Sequence, residues 1–515
     1  PARVQAGVVF ALKQALDDGH LYLPLAELTA NAGELLGLAG PPISAALEVL
    51  TTSGDVTQES VGARGLCVGL SAVVASETEC AVRLAALAQR PTAIAQLDLD
   101  AALEAFERSQ QLTLATEQRR AVRTALIDSV AVITGGPGVG KTTIVRAIVS
   151  IAKRLGRRVA LAAPTGRAAQ RLADATGEEA TTLHRLLEFT PQTQGFVRGA
   201  DFPIDADVIV VDEASMVDIG LCAALLQAVP SRAQLILVGD IDQLPSVGPG
   251  AVLHDIIDSE AVPVVRLTEI FRQAAESQIV IAAHAINRGR VPSLEHRDGA
   301  DFYFVERDDP AAAAAMVVDM VCQRIPAKFG LDPTRDIQVL SPMHRGELGT
   351  QALNATLQAR LNPIGTPVRE LARGDRRYRV GDKVMQVRND YDKAVYNGDI
   401  GVVAAVDPDA ATLRVKMLDG RSADYEQEEL DQLVLAYAIS VHKSQGSEYP
   451  AVVIPLSTAH FMMLQRSLLY TAVTRGKRLV VVVGSKRALR LAVERAQAKS
   501  RYTYLAERLR KLTAG

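Results

Sequence analysis

Gly135-Gly-Pro-Gly-Val-Gly-Lys-Thr142 fits the phosphate-binding pattern G-x-x-x-x-G-K-[ST] at every fixed position. Glycines let backbone N–H groups wrap an anionic phosphate, and a helix starting at the loop adds positive potential. Gly136, Pro137, Gly138, Val139, Gly140, Lys141, Thr142 and Thr143 are therefore candidate nucleotide-binding residues. Lys141 can reach the outer phosphates of ATP, and the Thr142 hydroxyl can ligate Mg²⁺. A second stretch, Ile209-Val-Val-Asp212-Glu213, is an apolar run ending in adjacent carboxylates. That suits metal-assisted hydrolysis: Asp212 holds Mg²⁺, directly or through water, and Glu213 polarises the attacking water. Gln243 stands in a polar loop after the apolar run that ends at Val238. Its amide can accept from a water or donate to a γ-phosphate. Arg272 and Arg475 lie far from Lys141 in sequence. A guanidinium brought to the γ-phosphate from an opposite domain stabilises developing charge and makes hydrolysis depend on domain closure.

These residues need a scaffold of alternating strands and helices. Val130-Ala-Val-Ile133 leads into the phosphate loop and Thr143–Val149 leads out as a helix. From about residue 108 the pattern is strand–helix alternation, which implies a parallel sheet. Candidate strands are Ala131–Thr134, Val159–Ala163, Val208–Val211, Gln234–Val238 and Val264–Leu267, followed by Ile337–Leu340, Ala451–Ile454 and Leu479–Val483. Two such sets imply two α/β domains. Before them, apolar spacing predicts helices near Val4–Leu16, Leu25–Leu36 and Ile43–Leu50, then strands at Gly54–Gln58 and Gly65–Gly69. Helices followed by a small hairpin resemble a winged helix, although its third helix has few basic residues. Glu188–Arg198 reads as a small hairpin. Lys383–Arg388, Gly401–Val406 and Leu413–Leu418, separated by turns such as Asn397-Gly398, read as a small inserted β-barrel. Domains are expected at 1–105, 106–277 (hairpin insertion 188–204), 278–365 joined with 432–515, and 366–431 for the barrel.

Composition sets the class. The chain of 515 residues is 48% hydrophobic, without an apolar run near the ~18 residues of a membrane span, so a globular protein off the membrane is expected. Pro1 stands where Met would, so the true N-terminus is expected upstream, and no signal peptide is visible. The four cysteines form no C-x-x-C pair, which suits thiols in a reducing cytoplasm. A net charge of −3 lowers the prior for nucleic-acid binding without removing it, because a motor needs only a locally positive channel. With 4% aromatic residues and no Trp, a single-strand grip should track the backbone more than it stacks bases.

The ordered motifs make the chain resemble superfamily 1 DNA helicases, within them the RecD family, in its stand-alone, long-form bacterial branch. The resemblance covers about residues 108 to 486. Thr116-Glu-Gln118 resembles the adenine-reading glutamine motif, so Gln118 joins the nucleotide set. Ala163-Pro-Thr-Gly-Arg-Ala-Ala169 and Thr182-Leu-His184 resemble motifs that grip single-stranded DNA. Ile439-Ser-Val-His-Lys-Ser-Gln-Gly-Ser-Glu448 and Tyr470-Thr-Ala-Val-Thr-Arg475 resemble the late motifs. Pro164, Thr165, Gly166, Arg167, Thr182 and His184 on one domain, and Ser440, His442, Lys443, Ser444 and Gln445 on the other, are thereby implied DNA contacts. The resemblance implies two RecA-like motor domains and a Src-homology-3-like barrel. It implies an ATP- and Mg²⁺-dependent helicase moving 5′ to 3′ on single-stranded DNA and opening duplex at single–double-strand junctions. A role in DNA repair and recombination is expected, in the cytoplasm at the nucleoid, by a monomer without obligate RecB- or RecC-like partners. The residues alone leave two alternatives open: a nucleic-acid translocase or remodeller that does not separate strands, and a P-loop small-molecule kinase. The second α/β domain and Arg475 argue against the kinase.

Overall fold

Val130-Ala-Val-Ile133 is buried at every position, and the strand it forms, Val130–Gly135, lies inside a six-stranded parallel sheet. The computed structural model describes residues 2–38, 40–90, 98–190, 192–270, 276–295, 299–365, 370–390, 392–496 and 500–513. The sheet order is Val264–Leu267, Val130–Gly135, Gln234–Gly239, Val208–Val211, Val159–Ala163 and Ala180–Thr182. Strands covered on both faces read as unbroken apolar runs, and each buried Val or Ile in them contributes roughly 1.5–3 kcal/mol. The edge strand Ala180–Thr182 is only half-buried and three residues long, so it carries no apolar run for sequence reasoning to find.

A second parallel sheet orders Phe302–Glu306, Gly476–Gly484, Tyr449–Leu456, Ile337–Ser341 and Ala438–Ser440. Its outer strands are the ones the sequence pattern passes over: Phe302–Glu306 alternates buried and half-buried residues, and Ala438–Ser440 is three residues long. The first sheet puts the C-terminal ends of its strands, where open α/β sheets take ligands, toward Glu448 and Arg475, which precede the strands Tyr449–Leu456 and Gly476–Gly484 of the second sheet. Between Ile337–Ser341 and Ala438–Ser440 in chain order stands a five-stranded antiparallel sheet, ordered Ser422–Glu426, Thr412–Met417, Ile400–Asp407, Lys383–Gln386 and Leu433–Leu435. Asp309 caps the helix Pro310–Asp319, whose first turns are proline and alanine.

The N-terminal region holds the helices Ala2–Asp17, Leu25–Leu36 and Gly40–Thr52 with a three-stranded antiparallel sheet of Leu23–Pro24, Leu66–Leu70 and Val56–Ser60. Gly40–Thr52 carries no Lys or Arg. A long helix, Ser71–Ala88, follows and packs on the first α/β layer. The C-terminal helix Leu505–Thr513 returns to this helix. There, the buried Glu77 accepts from Tyr22 Oη at 2.7 Å, from the Tyr504 amide at 2.6 Å and from Arg508. Among the described residues no single helix is long and apolar enough to cross a membrane.

Candidate ATPase and nucleic-acid site

The phosphate loop turns at Gly138 and Gly140, whose φ of 76° and 82° favour glycine. Lys141 opens the helix Lys141–Arg154, and its Nζ donates to the Gly135 and Gly136 carbonyls at 2.5 and 2.9 Å. Thr142 is exposed beside it. A side chain at Gly136 would fill the cradle: its Cβ would lie 2.9 Å from Tyr470 Oη and 3.2 Å from His284 Cε1, both from the second domain. Gln118 is buried. It accepts from the Ala115 amide at 3.0 Å and donates to the Val139 carbonyl at 3.1 Å, which ties it to the loop. A recess beside it is lined by Ala115, Glu117, Gln118, Val139, Leu267 and Ile270. Loop, lysine, exposed threonine and nearby carboxylates fit a triphosphate with its divalent ion.

Asp212 and Glu213 end the strand Val208–Val211, with Asp212 Oδ1 accepting from the Glu213 amide at 2.9 Å. Glu213 adopts φ 52°, a left-handed conformation uncommon for its type and frequent at functional positions. It is 6% exposed. Burial alone would raise its carboxyl, but the charges of Arg171 and then Arg475 hold it down at about 2. Asp212 goes the other way: burial, then the charge of Glu213, raises it. Two adjacent carboxylates are thus differentiated, Glu213 held ionised by the guanidinium charges and Asp212 with its charged form disfavoured by burial.

The cleft is bridged. Arg475, 2% exposed, donates from Nη2 to Gln243 Oε1 at 2.7 Å and from Nη1 to the Ser447 carbonyl at 3.2 Å. Gln243 Nε2 donates to Asp240 Oδ2 at 3.1 Å, and Tyr470 Oη donates to the same oxygen at 2.7 Å. Asn287 Nδ2 donates to Asp242 Oδ2 at 2.7 Å. Lys141, Asp212, Glu213, Gln243 and Arg475 are therefore neighbours, while Arg272 lies outside the described residues. Tyr470, Asp240, His284, Arg171 and Glu448 were not singled out from sequence, although Tyr470 and Glu448 stand at the ends of the two late motifs and Asp240 lies in the polar loop of Gln243.

The residues expected to hold DNA separate into groups. Thr165 follows Pro164 and caps the helix Gly166–Thr176, accepting from the Ala168 amide at 3.3 Å. Gly166, Arg167 and Thr182 line a cleft of about 540 Å³ with Tyr396, Arg421 and Tyr449. Arg167 Nη1 donates to Tyr449 Oη at 3.3 Å. His184 packs on Phe189 and Phe196 of the hairpin, ring centroids 5.7 Å from each. That hairpin pairs Phe189–Thr190 with Gly195–Phe196. On the second domain, His442 lines a separate cavity of about 520 Å³ with Ser246, Val247 and Arg501. Burial lowers both His184 and His442, which keeps them neutral at pH 7. Lys443 is exposed, and its amide donates to Ser440 Oγ at 3.4 Å. Ser444 and Gln445 turn inward: Ser444 Oγ donates to the Val441 carbonyl at 2.7 Å, and Gln445 Nε2 to the Leu244 and Pro245 carbonyls at 2.9 and 3.2 Å.

Two parallel sheets, a phosphate loop on one and an arginine from the other define a two-domain P-loop ATPase of the RecA-like class. Residues 113–303 match an AAA domain, 353–417 an ATP-dependent RecD-like DNA helicase SH3 domain, and 435–483 a UvrD-like helicase C-terminal domain. The chain is 35% identical over 519 residues to the ATP-dependent RecD2 DNA helicase of Deinococcus radiodurans, spanning 99% of this chain and 69% of that protein. It is 37% identical over 426 residues to the RecBCD enzyme subunit RecD of Mycobacterium tuberculosis, 75% of this chain and 72% of that one. A solved Pif1 helicase from Bacteroides, in complex with ADP-AlF3 and single-stranded DNA, aligns at TM-score 0.46 and 21% identity over 72% of this chain and 92% of that chain. The chain belongs to the RecD-like family of DNA helicases.

Proposed function

We propose that this chain is an ATP-driven helicase that moves 5′ to 3′ along single-stranded DNA and opens duplex ahead of it. The observation that carries the reading is the composite site: Arg475 reaches from the second domain to Gln243 at 2.7 Å, so the first domain alone lacks a guanidinium that hydrolysis needs. In the hydrolytic step a water oxygen bonds to the γ-phosphorus while the bond to the β–γ bridging oxygen breaks. Glu213 takes the water proton, and Lys141 and Arg475 stabilise the charge that develops. Arg272 is proposed as a further guanidinium at the γ-phosphate. Thr142 and Asp212 would hold Mg²⁺, which supplies charge neutralisation on the phosphates when bound.

Pro164–Arg167 with Thr182 and His184 form one proposed grip on the strand, and Ser440–Gln445 the other. Opening and closing of the cleft alternates them. The packing of His184 on Phe189 and Phe196 supports a hairpin that splits the duplex where the first grip ends. The protein acts as a monomer in this reading. Partial duplexes with a 5′ or a 3′ tail test it: opening of the 5′-tailed substrate is expected. Opening of the 3′-tailed one alone refutes the polarity. Opening of neither, with ATPase still stimulated by single-stranded DNA, favours a translocase or remodeller.

A further inference from the structure

The helix Gly166–Thr176 carries two arginines one turn apart, Arg167 and Arg171, a spacing that puts both on one face. Its N-terminal end touches the second domain, where a Cβ at Gly446 would lie 2.6 Å from Thr165 Oγ1. Arg167 meets Tyr449 there. One turn on, Arg171 Nη2 donates to Glu213 Oε1 at 2.5 Å, and its Nη1 donates to Glu448 Oε1 of the second domain at 2.7 Å. Glu448 also pairs with Lys477 at 3.0 Å. A single helix therefore joins a proposed DNA grip, the carboxylate proposed to activate water, and the opposite domain. To take a proton from water, Glu213 must turn an oxygen toward it, whereas here the bond from Arg171 to Oε1 fixes how the carboxylate points. Leaving a buried charge without a partner is costly, and Glu448, already bonded to Nη1 at 2.7 Å, keeps the guanidinium paired if Glu213 lets go.

We infer that Arg171 is a positioning residue that restrains Glu213 until DNA binds at the Thr165–Arg167 end of the helix, so that ATP hydrolysis waits for the strand. The inference rests on the helicase reading above. A phosphate oxygen arriving at Arg167 competes with Tyr449 for its guanidinium. The helix is stiff, so displacement at Arg167 is carried one turn to Arg171, which releases Glu213 and stays on Glu448.

The test compares wild type, Arg171→Ala, Arg171→Lys and Glu448→Gln. ATPase is measured with and without saturating oligo(dT), and oligo(dT) affinity with and without a non-hydrolysable ATP analogue. Arg171→Ala is expected to raise the DNA-free kcat with little change in the KM for ATP, and to cut the stimulation ratio about tenfold, within the range of ordinary allosteric coupling. Arg171→Lys, which keeps a cation on Glu213, is expected to restore the low DNA-free rate. The factor by which the analogue changes oligo(dT) affinity should shrink in Arg171→Ala, because coupling between two bound ligands is reciprocal. A folded Arg171→Ala protein with the wild-type stimulation ratio overturns the inference, as does a fall in DNA-free rate with that ratio intact. If Arg171→Ala does not fold, Glu448→Gln decides: loss of most DNA-stimulated rate supports the inference, and a wild-type ratio overturns it. A wild-type chain that single-stranded DNA does not stimulate overturns the helicase reading as well, which separates the two failures.

Discussion

Replacing Arg475 by alanine should abolish turnover while sparing ATP binding. In the structure the Arg475 guanidinium is buried and makes a 2.7 Å bond to Gln243, a 3.2 Å bond to the Ser447 carbonyl and a 3.3 Å bond to the Thr471 carbonyl. The bond to Gln243 crosses the cleft, and hydrogen bonds to a charged group are worth roughly 1.5–3 kcal/mol each. The same side chain is proposed to meet charge that appears only as the γ-phosphoryl group leaves. In this reaction class a guanidinium in that role is worth about 10³–10⁵ in kcat, or roughly 4–7 kcal/mol of barrier. The catalytic loss should therefore exceed the structural one. Phosphate release under saturating oligo(dT) measures kcat, a fluorescent ATP analogue measures binding, and a thermal melt checks the fold. The expected pattern is a collapse of kcat of at least about a thousandfold, with analogue affinity changed far less. Arg475→Lys keeps the charge but not the fork that reaches Gln243 and Ser447 together, and should recover only part of the rate. A folded Arg475→Ala protein whose kcat stays close to wild type would show that the cross-domain arginine is a strut, and the composite-site argument fails with it.

Lys383 is 1% exposed and its Nζ donates to the Ile337 carbonyl at 3.0 Å. Burial, followed by the charge of Arg167, lowers it from 10.5 to about 7, so its cost to stability, roughly 4–5 kcal/mol, is fully present below the folded value and is relieved as pH rises toward the unfolded one. Lys383→Met should therefore melt higher than wild type by a margin that is largest near neutral pH and shrinks in alkali; a margin independent of pH refutes this. Removing residues 190–195 from the hairpin should leave ATPase stimulated by single-stranded DNA but abolish unwinding, and retained unwinding sinks the strand-separating role. Lys141→Ala should lose hydrolysis with oligo(dT) affinity largely kept, as measured by fluorescence anisotropy; parallel loss of DNA binding would mean that the loop supports the DNA face structurally.

The inner strands around the phosphate loop were legible because burial on both faces leaves an apolar run, and the edge strand Val264–Leu267 keeps three apolar residues around the exposed Arg266. Val159–Ala163, Val208–Val211 and Val264–Leu267 lie at their expected bounds. Ala180–Thr182 and Ala438–Ser440 were not legible, because three residues carry too little periodicity to register. Within the site, residue types and spacing pointed to Lys141, Asp212, Glu213 and Arg475, each of which stands in a distinctive local pattern. They did not point to Arg171 and Glu448, whose pairing joins positions far apart in sequence and depends on the packing of both sheets. One signal was available: Arg171 follows Arg167 by a single helical turn, and a second arginine on the face of a proposed phosphate contact needs a partner.

The way the two domains meet bears on how such a machine can move. Each sheet is held by apolar side chains that interlock and cannot be exchanged for water cheaply. The cleft is held differently. Arg475 meets Gln243, Tyr470 meets Asp240, Asn287 meets Asp242, and Thr471 Oγ1 accepts from the Leu244 amide at 2.9 Å. Leu244 is the apolar exception, buried against the core of the second domain. Bonds of this kind contribute about 0.5–1.5 kcal/mol net between neutral groups and roughly 1.5–3 kcal/mol to a charged one, because water replaces either partner when they part. A cleft closed by them therefore opens without exposing a core, and the free energy of binding a triphosphate at Lys141 is of the size needed to bias it. The groups proposed to meet the γ-phosphate are among those that hold the cleft, so in the proposed cycle a change there acts on the domain interface directly.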